Sequence, residues 1–205
     1  MKKTLKILLV GFIVLIIGGT MGGLTVYTFF TPHNITYKTV EEIEVYSCTD
    51  DTYVDSDAPD ENYGNETAWL SGNYLGTKWY YAYFKFNLSD KPNNIVKGIV
   101  SLQIIIGAFD LVLPIYLNNN SWTEEEITYN NRPLPLGMVI IPFYMGVNES
   151  KITYYIDITD YAEDPFISFM IYSDTTADCG GFTKEYQFLS DNPRIIWTYE
   201  IIHTI

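Results

Sequence analysis

The sequence predicts an all-β protein: a two-sheet antiparallel β-sandwich preceded by one N-terminal transmembrane helix. Three observations lead there. Aromatic residues are abundant, with 18 Tyr and 11 Phe, and flat or β-branched side chains suit a pleated surface. Apolar residues of the outer part alternate with period two or fall in short runs broken by turn residues, not at the 3.6-residue spacing of an amphipathic helix. The N-terminus stands apart: Lys2, Lys3 and Lys6 accompany an apolar run that carries no charge from Ile7 through Phe30.

That run sets the expected topology. A bilayer core needs about 20 apolar residues as a helix, and residues 5–30 supply them. Basic residues stay on the cytoplasmic side, so everything after Phe30 faces outward. Gly18 with Gly22 and Gly19 with Gly23 form Gly-x-x-x-Gly pairs, a spacing that lets two helix backbones approach, although small residues are also common in membrane helices generally. The competing reading is a cleaved signal peptide, with residues 8–17 as its apolar core and 18–23 as its small-residue region. Against it, the run continues through Leu24, Val26, Tyr27, Phe29 and Phe30, and no Ala-x-Ala follows. Both readings send the rest of the chain outside the cell. The expected organisation is a cytoplasmic tip and anchor (or signal peptide) over 1–30, a stalk over 31–47, the sandwich over 48–199 and a tail over 200–205.

Charge divides at the same boundary. Three of the 12 basic residues and none of the 25 acidic ones lie in the first 30 positions, leaving nine against 25, a formal charge of −16. A nucleic-acid interface needs a basic face, so that class is excluded. An anionic polysaccharide is repelled unless a cation or a local basic patch intervenes. Two cysteines, Cys48 and Cys179, form an even count, which outside the cell suggests one bridge; the alternative is two buried thiols. Asn-x-Ser/Thr sequons at Asn34, Asn65, Asn87, Asn119 and Asn148 fit a glycosylated surface domain.

The strands follow in order. Residues 31–47 alternate at Ile35, Tyr37 and Thr39, so part of the stalk can pair. Residues 48–54 form the first firm strand, and 55–64, rich in Asp, Pro, Asn and Gly, a loop. A short strand over 68–71 and a turn over 72–77 precede the clearest alternation in the chain, residues 79–88. There Tyr80, Ala82, Phe84 and Phe86 share one face, and Trp79, Tyr81, Tyr83 and Lys85 the other. Further strands are expected over 99–106 and 111–117. Thr123-Glu-Glu-Glu126 has the pattern of a capping box, which predicts one helical turn, followed by a short strand through Ile127 and Tyr129. Strands over 138–144, 152–158, 166–172, 185–189 and 194–199 complete a set that suits two packed sheets.

Seven segments, in order, carry a family resemblance: Asp51-Thr-Tyr-Val54; Pro59-Asp-Glu-Asn-Tyr-Gly64; Tyr83-Phe-Lys-Phe-Asn-Leu-Ser89; Ser101-Leu-Gln-Ile104; Trp122-Thr-Glu124 with Ile127-Thr-Tyr129 and Pro133; Asp157-Ile-Thr159; and Phe188-Leu-Ser190 with Pro193-Arg-Ile-Ile-Trp-Thr-Tyr199. Together, over residues 48–199, they resemble the DNRLRE domain, also called the disaggregatase-related domain, which is grouped with family 96 of the carbohydrate-binding modules. The resemblance implies a jelly-roll-like β-sandwich that works outside cells, often beside polysaccharide-active enzymes or on surface proteins. Some relatives use basic residues for acidic sugars; here Lys78 and Lys85 lie near the aromatic strand.

Candidate sites follow from residue chemistry. A sugar ring stacks its apolar face on aromatic rings while its hydroxyls need polar partners. Trp79, Tyr81 and Tyr83, alternate on one strand with Lys85 beside them, could make such a platform; the alternative is that they pack under a neighbouring loop. Trp122 reads as a buried wedge of its turn. Asp51, Asp55, Asp57, Asp60 and Asn62 crowd one loop, and calcium takes roughly six to eight oxygen ligands; a solvated turn with Asx hydrogen bonds explains the same residues. No other cofactor is expected. His33 in the stalk and His203 in the tail suit no hydrolase triad, and no carboxylate pair sits in an apolar setting of the kind that raises one pKa. The leading expectation is therefore a membrane-anchored, non-catalytic module that binds a glycan or polysaccharide. Its alternatives are a structural or adhesion protein that contacts other proteins through the sandwich, and a carboxylate enzyme that cleaves polysaccharide.

Overall fold

The computed structural model describes residues 36–45, 48–106, 114–137, 139–140, 143–148, 151–172, 178–188 and 191–204. The expected membrane segment, 1–30, and His33 lie outside the described residues; among the described residues no helix is long and apolar enough to cross a membrane. Lys38–Ile202 forms one compact unit, and a second unit, Met1–Tyr37 with His203–Ile205, falls almost wholly outside the described residues.

The described chain is all-β. Its strands are β1 (Thr36–Val45), β2 (Cys48–Asp55), β3 (Ala68–Tyr74), β4 (Lys78–Asn87), β5 (Ile95–Ile106), β6 (Ile115–Leu117), β7 (Val139–Ile140), β8 (Phe143–Asn148), β9 (Lys151–Asp157), β10 (Phe166–Ile171), β11 (Asp178–Phe182) and β12 (Arg194–Thr204). They hydrogen-bond into one open network. On one side β4 lies between β2 and β10, with β6 and β7 beyond β10. On the other, β5 pairs with β9, β12 and β11, and β8 lies beyond β9; each of these pairs is antiparallel. Strand β3 joins the two sets: Gly72 pairs both with Tyr80 of β4 and with Asp178 of β11. Its φ of 125° is a conformation that residues with a Cβ rarely adopt, so glycine lets β3 turn the corner there.

Both strand sets contribute to one core, as in a sandwich. Phe84 and Phe86 of β4 and Phe169 of β10 meet Val100 and Leu102 of β5, Ile156 of β9, and Ile195 and Trp197 of β12, all but sealed from solvent. The period-two reading of β4 is correct: Ala82, Phe84 and Phe86 face this core and Tyr83 faces away from it. Each of the two phenylalanines contributes about 1.5–3 kcal/mol on burial, which makes the face assignment costly to reverse.

Part of the stalk does pair, as its alternation suggests: β1 lies beside β12 in the sheet order. Three other expectations change. No strand forms over 185–188 or through Ile127 and Tyr129. The sheet instead recruits β11, Asp178–Phe182, whose Cys-Gly-Gly core has no strand-like pattern. A Cβ on Gly181 would fall 2.0 Å from the Gln103 carbonyl oxygen and 2.7 Å from the Trp69 ring, so the position admits no side chain and β-propensity is overridden by packing. The Thr123–Glu126 turn does form, with the Thr123 carbonyl accepting from the Glu126 and Ile127 amides at 3.2 and 3.0 Å.

The expected disulfide is also corrected: Cys48 and Cys179 are not bridged. Cys48 sits opposite Phe86 across β2 and β4, whereas Cys179 sits opposite Ser71 across β11 and β3. Both pack as apolar groups of the main core. Burial, aided by the nearby Asp51 carboxylate, pushes the Cys48 thiol well above its usual pKa, so it holds its proton and is not poised as a nucleophile.

Candidate functional site

The outer face of β4 is roofed at one end and open at the other. Segment 122–133 covers the first end. Trp122 lies edge-on to Tyr83 with centroids 5.7 Å apart, and its indole nitrogen donates to Ser168 Oγ at 2.8 Å. The Tyr83 hydroxyl donates to the Pro133 carbonyl at 3.1 Å. Lys85 is held by the Trp122 carbonyl at 2.5 Å and the Asp50 carboxylate at 2.9 Å. Tyr83 is 0% and Lys85 7% exposed. The four-residue platform of Trp79, Tyr81, Tyr83 and Lys85 is therefore split. Tyr83 belongs to a second small core with Val54, Trp122, Ile127 and Met170 and only backs the wall of the open end, and Lys85 is buried beside it. The covering segment, which strand alternation cannot reveal, is the reason.

Trp79 and Tyr81 remain at the open end. Tyr172, which follows β10, stacks on Tyr81 at 4.7 Å and 12° and meets Trp79 at 5.6 Å. Tyr116 of β6 approaches the same ring at 6.4 Å. The Arg132 guanidinium lies 3.7 Å from the Tyr129 ring centroid and 5.0 Å from that of Tyr81, and it donates to the Tyr129 carbonyl. Tyr81, Tyr116, Tyr172 and Arg132 line a cleft of about 300 Å³ with Pro133 and Leu134. A neighbouring groove of about 450 Å³ shares its Arg132–Pro135 wall and extends to Asn119 and Trp122.

The chemistry of the cleft is uniform. Burial, with Tyr129 and Tyr172 alongside, pushes the Tyr81 phenol up to about 12, and burial pushes Tyr83 in the same direction. Both remain neutral donors at physiological pH. The cleft thus offers, among the described residues, stacked ring faces, phenolic hydroxyls and one planar cation. Tyr116, Tyr172, Tyr129 and Arg132 escape a sequence reading because they converge only through pairing. Met170 stands opposite both Tyr83 and Tyr116, and this registers Tyr172 beside Tyr81.

A second constellation lies at the far end of β2. Asp51, Glu124 and Glu185 each bring a carboxylate oxygen within 4.8 Å of the others. Lys184 occupies their midst: its ammonium binds both oxygens of Glu124, at 2.6 and 2.5 Å, and one of Glu185, and it lies 4.0 Å from Asp51. Asp51 is fully buried, with Oδ2 accepting from the Lys184 amide at 2.8 Å and Oδ1 without a hydrogen-bond donor. A divalent ion would have to displace Lys184. The loop considered for calcium is dispersed: Asp55 pairs with Lys78 at 2.7 Å, Asp60 accepts from Asn130 at 2.8 Å, and Asn62 donates to the Glu124 and Ile127 carbonyls.

Burial first, then Glu185, pushes the Asp51 carboxyl up to about 8 against the opposing pull of Lys184. Burial also raises Glu124. The folded value of Asp51 lies above its ordinary 3.8, so the folded state binds the proton more tightly. The resulting stability is complete below about pH 4 and is lost as pH rises through about 8. Thermal unfolding followed by circular dichroism should therefore show a Tm several degrees lower at pH 8.5 than at pH 5, with D51N flattening the slope.

The sequence over residues 42–194 matches carbohydrate-binding module family 96. The chain belongs to that family. The match covers every strand from β2 to β11, and so contains both the aromatic cleft and the Lys184 network of the module. Members of such families are typically binding rather than catalytic domains. No curated protein matches the module.

Proposed function

We propose that the chain is a glycan-binding module, displayed outside the cell on a membrane anchor formed by residues 5–30, with no catalytic activity of its own. We read it as a module of the DNRLRE, or disaggregatase-related, kind with a jelly-roll-like sandwich. The observation that carries the reading is the stacked Tyr81–Tyr172 pair beside Arg132 in an open cleft. Sugar C–H faces stack on such rings while phenols and guanidinium meet the hydroxyls. Anchoring many copies on one surface multiplies a weak single-site affinity, so a low monovalent affinity suffices.

A glycan array probed with the full chain, with and without calcium, tests this. Neutral or acidic glycans should be retained, and Y172A should weaken binding about tenfold, equivalent to about 1.4 kcal/mol, with Tm little changed. The second reading, a structural or adhesion protein, draws on Leu134 and Leu136, 68% and 65% exposed beside the cleft. An array without signal, together with specific capture of a protein partner, supports that reading instead. Cleavage of a polysaccharide by the purified chain would point to the enzyme alternative.

A further inference from the structure

The sequons differ in how the fold presents them. Asn34 and residues 149–150 of the Asn148 sequon lie outside the described residues. Asn87 ends β4, half-buried, with its Oδ1 accepting from the Ser89 amide at 2.8 Å. Asn65 and Asn119 are exposed. Asn119 has a further property. Its Oδ1 accepts from both the amide and the hydroxyl of Ser121, at 3.1 and 2.5 Å, so the carboxamide and the hydroxyl of the sequon are already held together on one turn. Asn119 also borders the groove of about 450 Å³, which Leu134 and Leu136 line as well.

We propose that Asn119 carries an N-linked glycan whose first sugars lie in this groove. The Asn119 Nδ2 attacks the anomeric carbon of a lipid-pyrophosphate-linked oligosaccharide. The C1–N bond forms, the C1–O bond to phosphate breaks, the lipid pyrophosphate departs, and the amide proton passes to the transferase's base. The apolar faces of the first sugars then cover Leu134 and Leu136, which are otherwise 68% and 65% exposed. Burying such surface is favourable by about 25 cal/mol per Å². The aromatic cleft shares the Leu134 wall with this groove, but its Tyr81, Tyr116 and Tyr172 rings border only the cleft and stay open for a separate ligand.

The proposal rests on the outward placement argued above, and the test separates the two. The full chain is purified from its own host's membranes, alongside N119Q and S121A, and its peptides are mapped by mass spectrometry. The expected result is a glycan mass on the Asn119 peptide, lost in both variants, with faster amide hydrogen exchange at Leu134 and Leu136 when it is lost. Bare Asn119 in a chain that protease shaving removes from intact cells overturns the proposal and leaves export standing. Bare Asn119 in a chain that shaving does not reach overturns both. A glycan on Asn119 without any change in exchange at the two leucines overturns its seating in the groove.

Discussion

Replacing Trp69 by alanine is expected to destabilise the fold by about 3–5 kcal/mol, the usual cost of emptying a large aromatic site. Trp69 is fully buried and meets Phe84 edge-on, with centroids 5.5 Å apart and planes at 85°. It sits on β3, the strand that joins the two halves of the sheet network. The bare backbone of Gly181 lies against its ring, with no side chain to move into a void. The loss is large beside the 5–15 kcal/mol that ordinarily holds a domain folded, and it should lower Tm by roughly 10 °C at this size. W69F should cost far less, because it keeps a ring and removes the indole nitrogen, which is buried without a partner. Guanidinium unfolding of the three chains measures both effects. A W69A penalty under about 1 kcal/mol would mean that the core does not depend on this residue.

The second large effect concerns Lys184. K184M keeps the length of the side chain and removes the charge, leaving three converging carboxylates with no cation among them. Breaking a buried ion pair by deleting one partner costs about 3–5 kcal/mol. Here the lower end applies, because the Lys184 side chain retains 24% exposure. The penalty has a sign in pH. Without the ammonium, Asp51, Glu124 and Glu185 take up protons more readily, and protonation removes their mutual repulsion. The deficit of K184M against wild type should therefore be smaller at pH 5 than at pH 8. D51N placed on top of K184M should recover part of the loss at pH 8. A deficit independent of pH would assign Lys184 a packing role only.

The sequence made the architecture of β4 legible because period-two alternation is a local signal, and Ala82, Phe84 and Phe86 do face the core. It made β11 invisible, because Gly180 and Gly181 are selected by the closeness of Trp69 and Gln103 and not by any preference for extended chain. The disulfide failed for a related reason. An even cysteine count constrains redox chemistry, but Cys48 and Cys179 pair with different strands. The candidate site was partly legible. Tyr81 lines the cleft and Trp79 meets only the Tyr172 ring beside it, whereas the roof of Trp122 and Pro133 over Tyr83 and Lys85 is a tertiary event with no local signature. Tyr116, Tyr172 and Arg132 come from three separate segments: the register of β6, β10 and β4 brings the two tyrosines to Tyr81, and the covering loop brings Arg132.

Ring resonances of the full chain, labelled at tyrosine and titrated with the glycans retained on the array, test the central claim most directly. The account predicts shifts confined to Tyr81, Tyr116, Tyr129 and Tyr172, with Tyr154 in the core unmoved. Shifts instead at Tyr53, Tyr63 and Tyr80, where Tyr53 stacks on Tyr63 and meets Tyr80 edge-on and none of the three lines the cleft, would contradict it.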